Sequence, residues 1–155
     1  MIEVVILGAG NVAFHLFRAF SEAENTRVIQ VYNHLEENLN YFKDYTNTTN
    51  RISDLKSADF YLLALKDDVI ADVAHNLKDL PGIVLHTSGA VSLNALEILS
   101  NFGVFYPLQT FSKNKLVDFG EIPVCIEANS AENLEKIKKL ALEITKDVRE
   151  VNSEQ

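Results

Sequence analysis

The chain has 155 residues, 47% of them hydrophobic, and its 14 basic and 22 acidic side chains give a formal net charge of -8. This length is typical of one domain, and the negative charge argues against nucleic acid as a partner. No apolar run reaches the about 20 residues of a membrane helix and the N-terminus lacks a signal-peptide pattern, so we expect a soluble, cytoplasmic protein.

Short apolar runs alternate with amphipathic stretches along the chain. The apolar runs predict six strands: Val4–Leu7, Val28–Tyr32, Asp59–Leu65, Ile83–His86, Gly103–Tyr106 and Ile122–Ile126. A period of 3.6 residues predicts four helices: Asn11–Phe20, Val69–Leu77, Ser92–Leu99 and Ala131–Lys146. The pattern is weakest between residues 38 and 56, where a short strand near Thr48–Ile52 still fits. Strands that alternate with helices predict an α/β fold with a mostly parallel sheet, in one domain over residues 1–155.

The first strand leads into a glycine-rich turn. Gly8, Gly10 and Ala13 occupy the three small-residue positions of the dinucleotide-binding pattern G-x-G-x-x-G/A, and a helix follows directly. The turn therefore predicts a pyrophosphate site at the helix N-terminus. The alternative is a strand-to-helix turn with a purely structural role. The predicted cofactor-binding residues are Gly8, Ala9, Gly10, Asn11, Val12 and Ala13.

The end of the second strand bears on the choice of cofactor. It carries Asn33 and His34, where an NAD-binding unit usually has an acidic residue for the ribose 2′-OH. Neutral donors without a carboxylate favour a 2′-phosphate, and so NADP, while NAD stays possible because Glu36 and Glu37 follow closely. No arginine is present at this strand end for a bidentate phosphate contact. The alternative is that Asn33 and His34 only cap the next helix.

Polar residues follow two more predicted strands. Leu65 and Lys66, in LALKDD, are predicted at the carboxyl edge of the sheet, where Lys66 would meet a cofactor phosphate or a substrate carboxylate. A solvated surface lysine is the alternative. In LHTSGA, the sequence predicts that His86, Thr87 and Ser88 face the ligand crevice, or else form only a turn. The segment FYPLQTFSK places further polar residues where they would complete the pocket rim: Tyr106, Gln109, Thr110 and Lys113.

Two patterns that could suggest metal or thiol chemistry have simpler explanations. Asp68, Asp72 and His75 share a helical face, but acidic residues are common in a first helical turn, so we expect a solvated face and no metal site. Cys125 is the only cysteine, which excludes an internal disulfide. Its apolar neighbours predict a buried small hydrophobe.

The segments LGAGNVA, LLALKDD, LHTSGA and YPLQTFS, in this order and spacing, resemble the N-terminal domain of the Rossmann-like NADP oxidoreductases of the DUF2520 group. These are relatives of pyrroline-5-carboxylate reductase and of coenzyme F420-dependent NADP oxidoreductase. The resemblance implies a Rossmann-type doubly wound sheet with helices on both faces, and a helical C-terminal domain that dimerises and is absent from this chain. The sequence departs from the group at Asn33 and His34, where relatives often have Ser-Arg.

These patterns together predict the NADP-binding domain of an oxidoreductase that transfers a hydride between a nicotinamide cofactor and a small metabolite. His86 is the candidate proton donor, because histidine titrates near neutral pH. The alternative is a non-catalytic module that senses the dinucleotide or mediates an interaction. We expect a homodimer in the full-length form. In the chain alone we expect apolar surface to be exposed at the carboxyl edge of the sheet and along a helical stripe over residues 131–148.

Overall fold

The computed structural model describes residues 1–152. In that range eight strands form one sheet, and their bounds are β1 Ile2–Leu7, β2 Thr26–Tyr32, β3 Asn47–Thr49, β4 Phe60–Leu63, β5 Ile83–His86, β6 Phe102–Pro107, β7 Val124–Ala128 and β8 Val148–Glu150. Three α-helices pack on the sheet: α1 Asn11–Glu22, α2 Ile70–Ala74 and α3 Ala131–Leu142. No helix of the described residues has the length and apolar character needed to span a bilayer.

The strand order is β3-β2-β1-β4-β5-β6-β7-β8. Every neighbouring pair is parallel except β6 and β7, which are antiparallel. From β1 the chain moves first towards β3 and then, from β4 onwards, in the opposite direction. The carboxyl ends of β1 and β4 therefore form the topological switch point where open α/β sheets bind ligands.

Each face of the sheet has its own core, as the sequence pattern predicts for a doubly wound fold. Along β1, Val4 and Ile6 point into a core shared with α1 and α3, whereas Val5 and Leu7 point into a second core shared with α2. All four side chains are fully buried. The predicted Rossmann-type architecture with helices on both faces is thus confirmed.

Two predicted helices are shorter than their apolar spacing suggests. The stretch at Ser92–Leu99 forms a single 3-10 turn, Leu93–Leu96, held by successive i to i+3 bonds such as the one from the Glu97 N–H to the Asn94 carbonyl (3.1 Å). The stretch at Val69–Leu77 contains only α2 after a short 3-10 turn. Leu96 is nevertheless fully buried. Apolar residues spaced for a helix therefore also fit a compact turn against the sheet.

The last predicted helix ends early. It was expected to run to Lys146, with an apolar stripe continuing to Val148, but α3 stops at Leu142. The Thr145 hydroxyl donates to the Ile122 carbonyl (2.5 Å), which draws the chain back to the sheet, and Val148 then pairs with Val124 in β8. The stripe residues Ile137, Leu140, Ala141 and Ile144 are buried, so this stripe does not provide the exposed apolar surface that the sequence led us to expect.

The sheet also shows the outcome of two smaller predictions, the short strand near Thr48 and the burial of Cys125. The short strand predicted near Thr48–Ile52 is present as β3, beside β2. Cys125 lies in β7 and is half-buried rather than buried. Partial burial raises the pKa of its thiol, so the side chain stays protonated and weakly reactive at neutral pH.

Candidate dinucleotide site

Gly8 makes the tight turn between β1 and α1. Its φ of 124° lies in a region that side chains rarely adopt, and a Cβ added there would lie 2.1 Å from the Ala64 carbonyl oxygen. The Gly8 N–H donates to the Tyr32 carbonyl (2.7 Å), and the Ala64 N–H donates to the Leu7 carbonyl (2.8 Å). Only glycine lets β1 pass so close to the chain that follows β4.

Gly10 serves a different purpose. It is the N-cap of α1, and no side chain caps the free N–H groups of the first turn. A Cβ added at Gly10 would meet nothing within 4 Å. Open space therefore lies in front of the positive end of α1, bordered by Asn11 and Val12, while Ala9 is buried in the core and Ala13 is fully buried. This arrangement suits a phosphate held by backbone N–H groups.

A cavity of about 480 Å³ adjoins this turn at the switch point. Its wall combines residues of all four of the motifs found in the sequence: Gly10, Asn11, Val12, Leu65, Lys66, Thr87, Ser88 and Tyr106. A larger cavity of about 890 Å³ lies at the opposite, amino-terminal edge of the sheet, beside Met1, Asp59 and Gly82. None of the predicted site residues lines that larger cavity, so we place the candidate site at the switch point.

Thr87 and Ser88 occupy the cavity wall but differ in what they offer a ligand. The Thr87 hydroxyl donates to the Leu63 carbonyl (3.2 Å) and stabilises the turn after β5. The Ser88 Oγ accepts from the Ala90 N–H (3.1 Å), so its own hydrogen remains able to donate. Lys66 is exposed at the same edge. The hydrogen-bond donors of Ser88 and Lys66 therefore face the cavity. Thr87 also stabilises the turn after β5, which was the alternative predicted for this segment.

His86 does not lie in the position that a proton donor to substrate requires. Its ring is fully buried, and it is not part of the cavity wall. Nδ1 accepts from the Ser88 N–H (3.1 Å), so Nε2 carries the hydrogen and donates to the Ser92 carbonyl (3.2 Å). Burial lowers the pKa of the ring. The geometry gives His86 a structural role as a neutral imidazole, contrary to the role expected from the sequence.

The lowered pKa of His86 predicts a pH-dependent stability. The unfolded chain binds the proton at a higher pH than the folded chain does, so the free energy of unfolding falls as the pH drops below about 6.5. His86→Asn keeps an acceptor for the Ser88 N–H and cannot titrate. We expect the wild-type chain to lose more stability than this variant between pH 7 and pH 5 in urea unfolding. Equal losses would show that His86 titrates normally.

At the end of β2, Asn33 and His34 take different environments. Asn33 is buried and its side-chain amide donates to the Leu35 carbonyl (3.0 Å). The N-cap of the following 3-10 turn is Leu35, and no side chain caps that turn, so the capping alternative does not hold for Asn33. His34 is exposed. The Asn33 N–H also donates to the Thr49 carbonyl at the end of β3 (3.2 Å). This pairing brings the exposed side chain of Arg51, two residues beyond β3, to the same sheet edge.

Sequence reasoning missed Arg51 as a candidate for this edge because the residue lies 18 positions after Asn33. The signal that could have found it was the weak strand pattern near Thr48, because a strand that ends at Thr49, as β3 does, places Arg51 just after a carboxyl strand end. The nearby Glu36 forms an exposed ion pair with Lys43 (3.5 Å). That pairing offsets part of the negative charge close to His34.

The segment after β6 contributes in a way the sequence did not predict. Gln109 and Thr110 are exposed, and Tyr106 lines the cavity. Lys113 is not part of the cavity wall; its Nζ donates to the Ala9 carbonyl in the glycine turn (3.0 Å). The segment is attached to α1 by His15, whose Nε2 lies 2.6 Å from the Ser112 carbonyl oxygen.

Asp68, Asp72 and His75, which share a face in the sequence pattern, are exposed around α2. In residues 1–152 no group of three histidine, cysteine, aspartate or glutamate side chains is arranged to hold a metal ion.

Comparison with known proteins shows the family of the chain. The family model described as "NADP oxidoreductase coenzyme F420-dependent" matches residues 3–85, which is more than half of the chain. No curated protein sequence matches the chain.

Three solved structures illustrate the likeness. A candidate NADP oxidoreductase from Bacteroides fragilis is 33% identical, with a TM-score of 0.92, and the match covers 99% of this chain and 62% of that one. A prephenate dehydrogenase from A. aeolicus, in complex with hydroxyphenyl propionate and NAD+, is 17% identical with a TM-score of 0.84, over 99% and 61%. A pyrroline-5-carboxylate reductase from Coxiella burnetii is 20% identical with a TM-score of 0.76, over 99% and 60%.

The chain thus spans about three fifths of the length of these structures. The two likenesses under 25% identity concern the fold alone. With its glycine turn, switch-point cavity and family match, the chain is an NAD(P)-binding Rossmann domain of the oxidoreductase type and belongs to the NADP oxidoreductase family described as coenzyme F420-dependent.

Proposed function

We propose that this domain binds NADP(H) and forms the cofactor half of an oxidoreductase acting on a small metabolite. The observation that carries the proposal is the open space at Gly10 before the uncapped first turn of α1. The pyrophosphate would bind there, across residues 8–12, through backbone N–H groups. The nicotinamide would extend towards Leu65, Thr87 and Ser88, and the adenosine ribose towards the end of β2.

When bound, the cofactor supplies or accepts a hydride, and the chain provides orientation and polar contacts. The cavity beside the glycine turn, about 480 Å³ in volume, has room for a ring and a small substrate. Lys66 and the Ser88 hydroxyl are the donors we assign to a substrate carboxylate or carbonyl oxygen. The cavity is open on its outer side, so we propose that a second domain or a second copy of the chain closes it and excludes water.

The preference for NADP over NAD rests on the charges at the carboxyl ends of β2 and β3. His34 and Arg51 are exposed there, and no carboxylate occupies either position. A guanidinium is the side chain best suited to a 2′-phosphate, because it can form two parallel charge-assisted hydrogen bonds. We therefore assign Arg51 as the main contact of the 2′-phosphate, with His34 beside it.

Arg51→Gln tests this assignment. We expect the variant to bind NADPH about tenfold more weakly because it loses a charge-assisted contact, and to bind NADH with unchanged affinity. Arg27→Gln is the matched control, since Arg27 pairs with Glu3 at the amino end of the sheet. Titration calorimetry with both cofactors provides the measurement. An unchanged ratio of NADPH to NADH affinity in Arg51→Gln would contradict the assignment.

The reaction itself is tested by following NADPH oxidation at 340 nm with keto acids and imines as substrates. Turnover would support the oxidoreductase proposal. Tight NADPH binding without turnover on any of these compounds would favour the alternative, a non-catalytic module that senses the dinucleotide. The homodimer implied by the family resemblance is a separate proposal, which light scattering would test.

A further inference from the structure

The segment between β6 and β7 is fixed against the glycine turn by two anchors. Phe111 is buried, and its ring stacks on the His15 ring of α1 at 4.9 Å and on Phe119 at 5.8 Å. One residue later, the Ser112 carbonyl oxygen lies 2.6 Å from His15 Nε2. These contacts hold the backbone immediately before Lys113 in one position relative to α1.

Lys113 uses this position to reach the glycine turn. Its ammonium donates to the carbonyl of Ala9, between the two glycines, at 3.0 Å. A lysine ammonium has three N–H donors, so two remain after the bond to Ala9. The Lys113 side chain is otherwise exposed, and no acidic side chain of residues 1–152 pairs with it.

The bond from Lys113 to Ala9 holds a cation at a place where, without a ligand, the neighbouring helix end disfavours it. The ammonium lies beside the N-terminus of α1, where the helix dipole is positive and disfavours a cation. A bound dianion would reverse that effect, because it would interact favourably with both the helix end and the ammonium. The chain carries a formal net charge of -8, so a cation held at the site also offsets the repulsion that a dianion would meet.

We infer that Lys113 binds the pyrophosphate of the dinucleotide beside the N-terminus of α1. Its bond to the Ala9 carbonyl holds the ammonium ready over the glycine turn, and its two remaining donors contact phosphate oxygens. The assignment rests on the proposed function, because it requires a dinucleotide at this turn. It gives Lys113 a cofactor-binding role where the sequence indicated only a place on the pocket rim.

Lys113→Gln tests the inference, with Lys115→Gln as the matched control. Lys115 lies two residues along the same segment and is exposed, and among residues 1–152 its side chain forms no hydrogen bond with the glycine turn, so the control removes the same charge without that contact. Titration calorimetry is performed with NADPH and with adenosine 2′-monophosphate, which lacks the pyrophosphate. Thermal unfolding checks that both variants fold.

We expect Lys113→Gln to bind NADPH more weakly than the wild-type chain by about tenfold or more, because glutamine removes the charge from the contacts to the phosphate oxygens. Its affinity for adenosine 2′-monophosphate, and both affinities of Lys115→Gln, should be unchanged. A wild-type chain that fails to bind NADPH would overturn the proposed function and this inference together. If the wild-type chain binds NADPH and Lys113→Gln binds it equally well, or if both lysine variants weaken binding equally, only the inference on Lys113 is overturned.

Discussion

Replacing Gly8 by alanine should destabilise the domain by about 3 kcal/mol or more, since both backbone strain and overpacking act at this residue. The positive φ of 124° disfavours any side chain. The new Cβ would also lie 2.1 Å from the Ala64 carbonyl oxygen, a backbone atom of the chain directly after β4. Relief of the clash requires β1 and β4 to move apart at the centre of the sheet. Urea unfolding followed by circular dichroism measures the loss.

Gly10→Ala is the matched control for this prediction. Gly10 has a φ of -86° and open space at its Cβ position. The same change from glycine to alanine should therefore cost about 1 kcal/mol at most, because alanine is less favourable than glycine at a helix N-cap but meets neither a clash nor a strained φ here. Equal stability of Gly8→Ala and Gly10→Ala would mean that the turn after β1 does not have the described conformation.

Gly10→Val should reduce NADPH affinity by about a hundredfold or more, because the side chain would occupy the space where the pyrophosphate approaches the backbone. The fold should be retained, since nothing lies within 4 Å of a Cβ at this position. Calorimetry with NADPH measures the affinity, and the unfolding midpoint shows whether the variant is folded. The smaller side chain of Gly10→Ala should give an intermediate loss.

A folded Gly10→Val chain that binds NADPH as tightly as the wild type would place the phosphate elsewhere. The effect expected of Gly10→Val differs from the effect expected of Arg51→Gln. Arg51→Gln should change the discrimination between NADPH and NADH, whereas Gly10→Val should weaken the binding of both cofactors. Gly10→Val therefore tests the pyrophosphate contact, and Arg51→Gln tests the 2′-phosphate contact independently.

The glycine turn and most of the sheet could be predicted from the sequence because their signals are local. The apolar run before Gly8 predicts a buried strand, and the spacing of Leu16, Phe17 and Phe20 predicts the helix that follows. All three helix residues are buried in the structure. Steric requirements of a single turn likewise determine where glycine is needed, so Gly8 and Gly10 were recognisable without any knowledge of distant contacts.

The end of α3 was not predictable in the same way. The apolar period continues past Leu142, and a helix to Lys146 satisfies it equally well. The helix ends because Thr145 and Lys146 bond to carbonyl groups of Ile122 and Gly120. Those partners lie more than 20 residues earlier, so helical periodicity carries no information about them.

The chemical roles of single polar residues depended most on tertiary structure. From the sequence, His86 is a titratable group at a strand end; packing of β5 encloses it and engages both ring nitrogens. Arg51 comes to the cofactor edge only through the pairing of β2 and β3. Lys113 contacts Ala9 across 104 residues of chain. The sequence by itself therefore determined the fold class and the glycine turn, because each depends on neighbours in the chain. Only tertiary structure decided which polar side chains are enclosed and which face a ligand, because burial and contacts between distant segments are properties of the packed molecule.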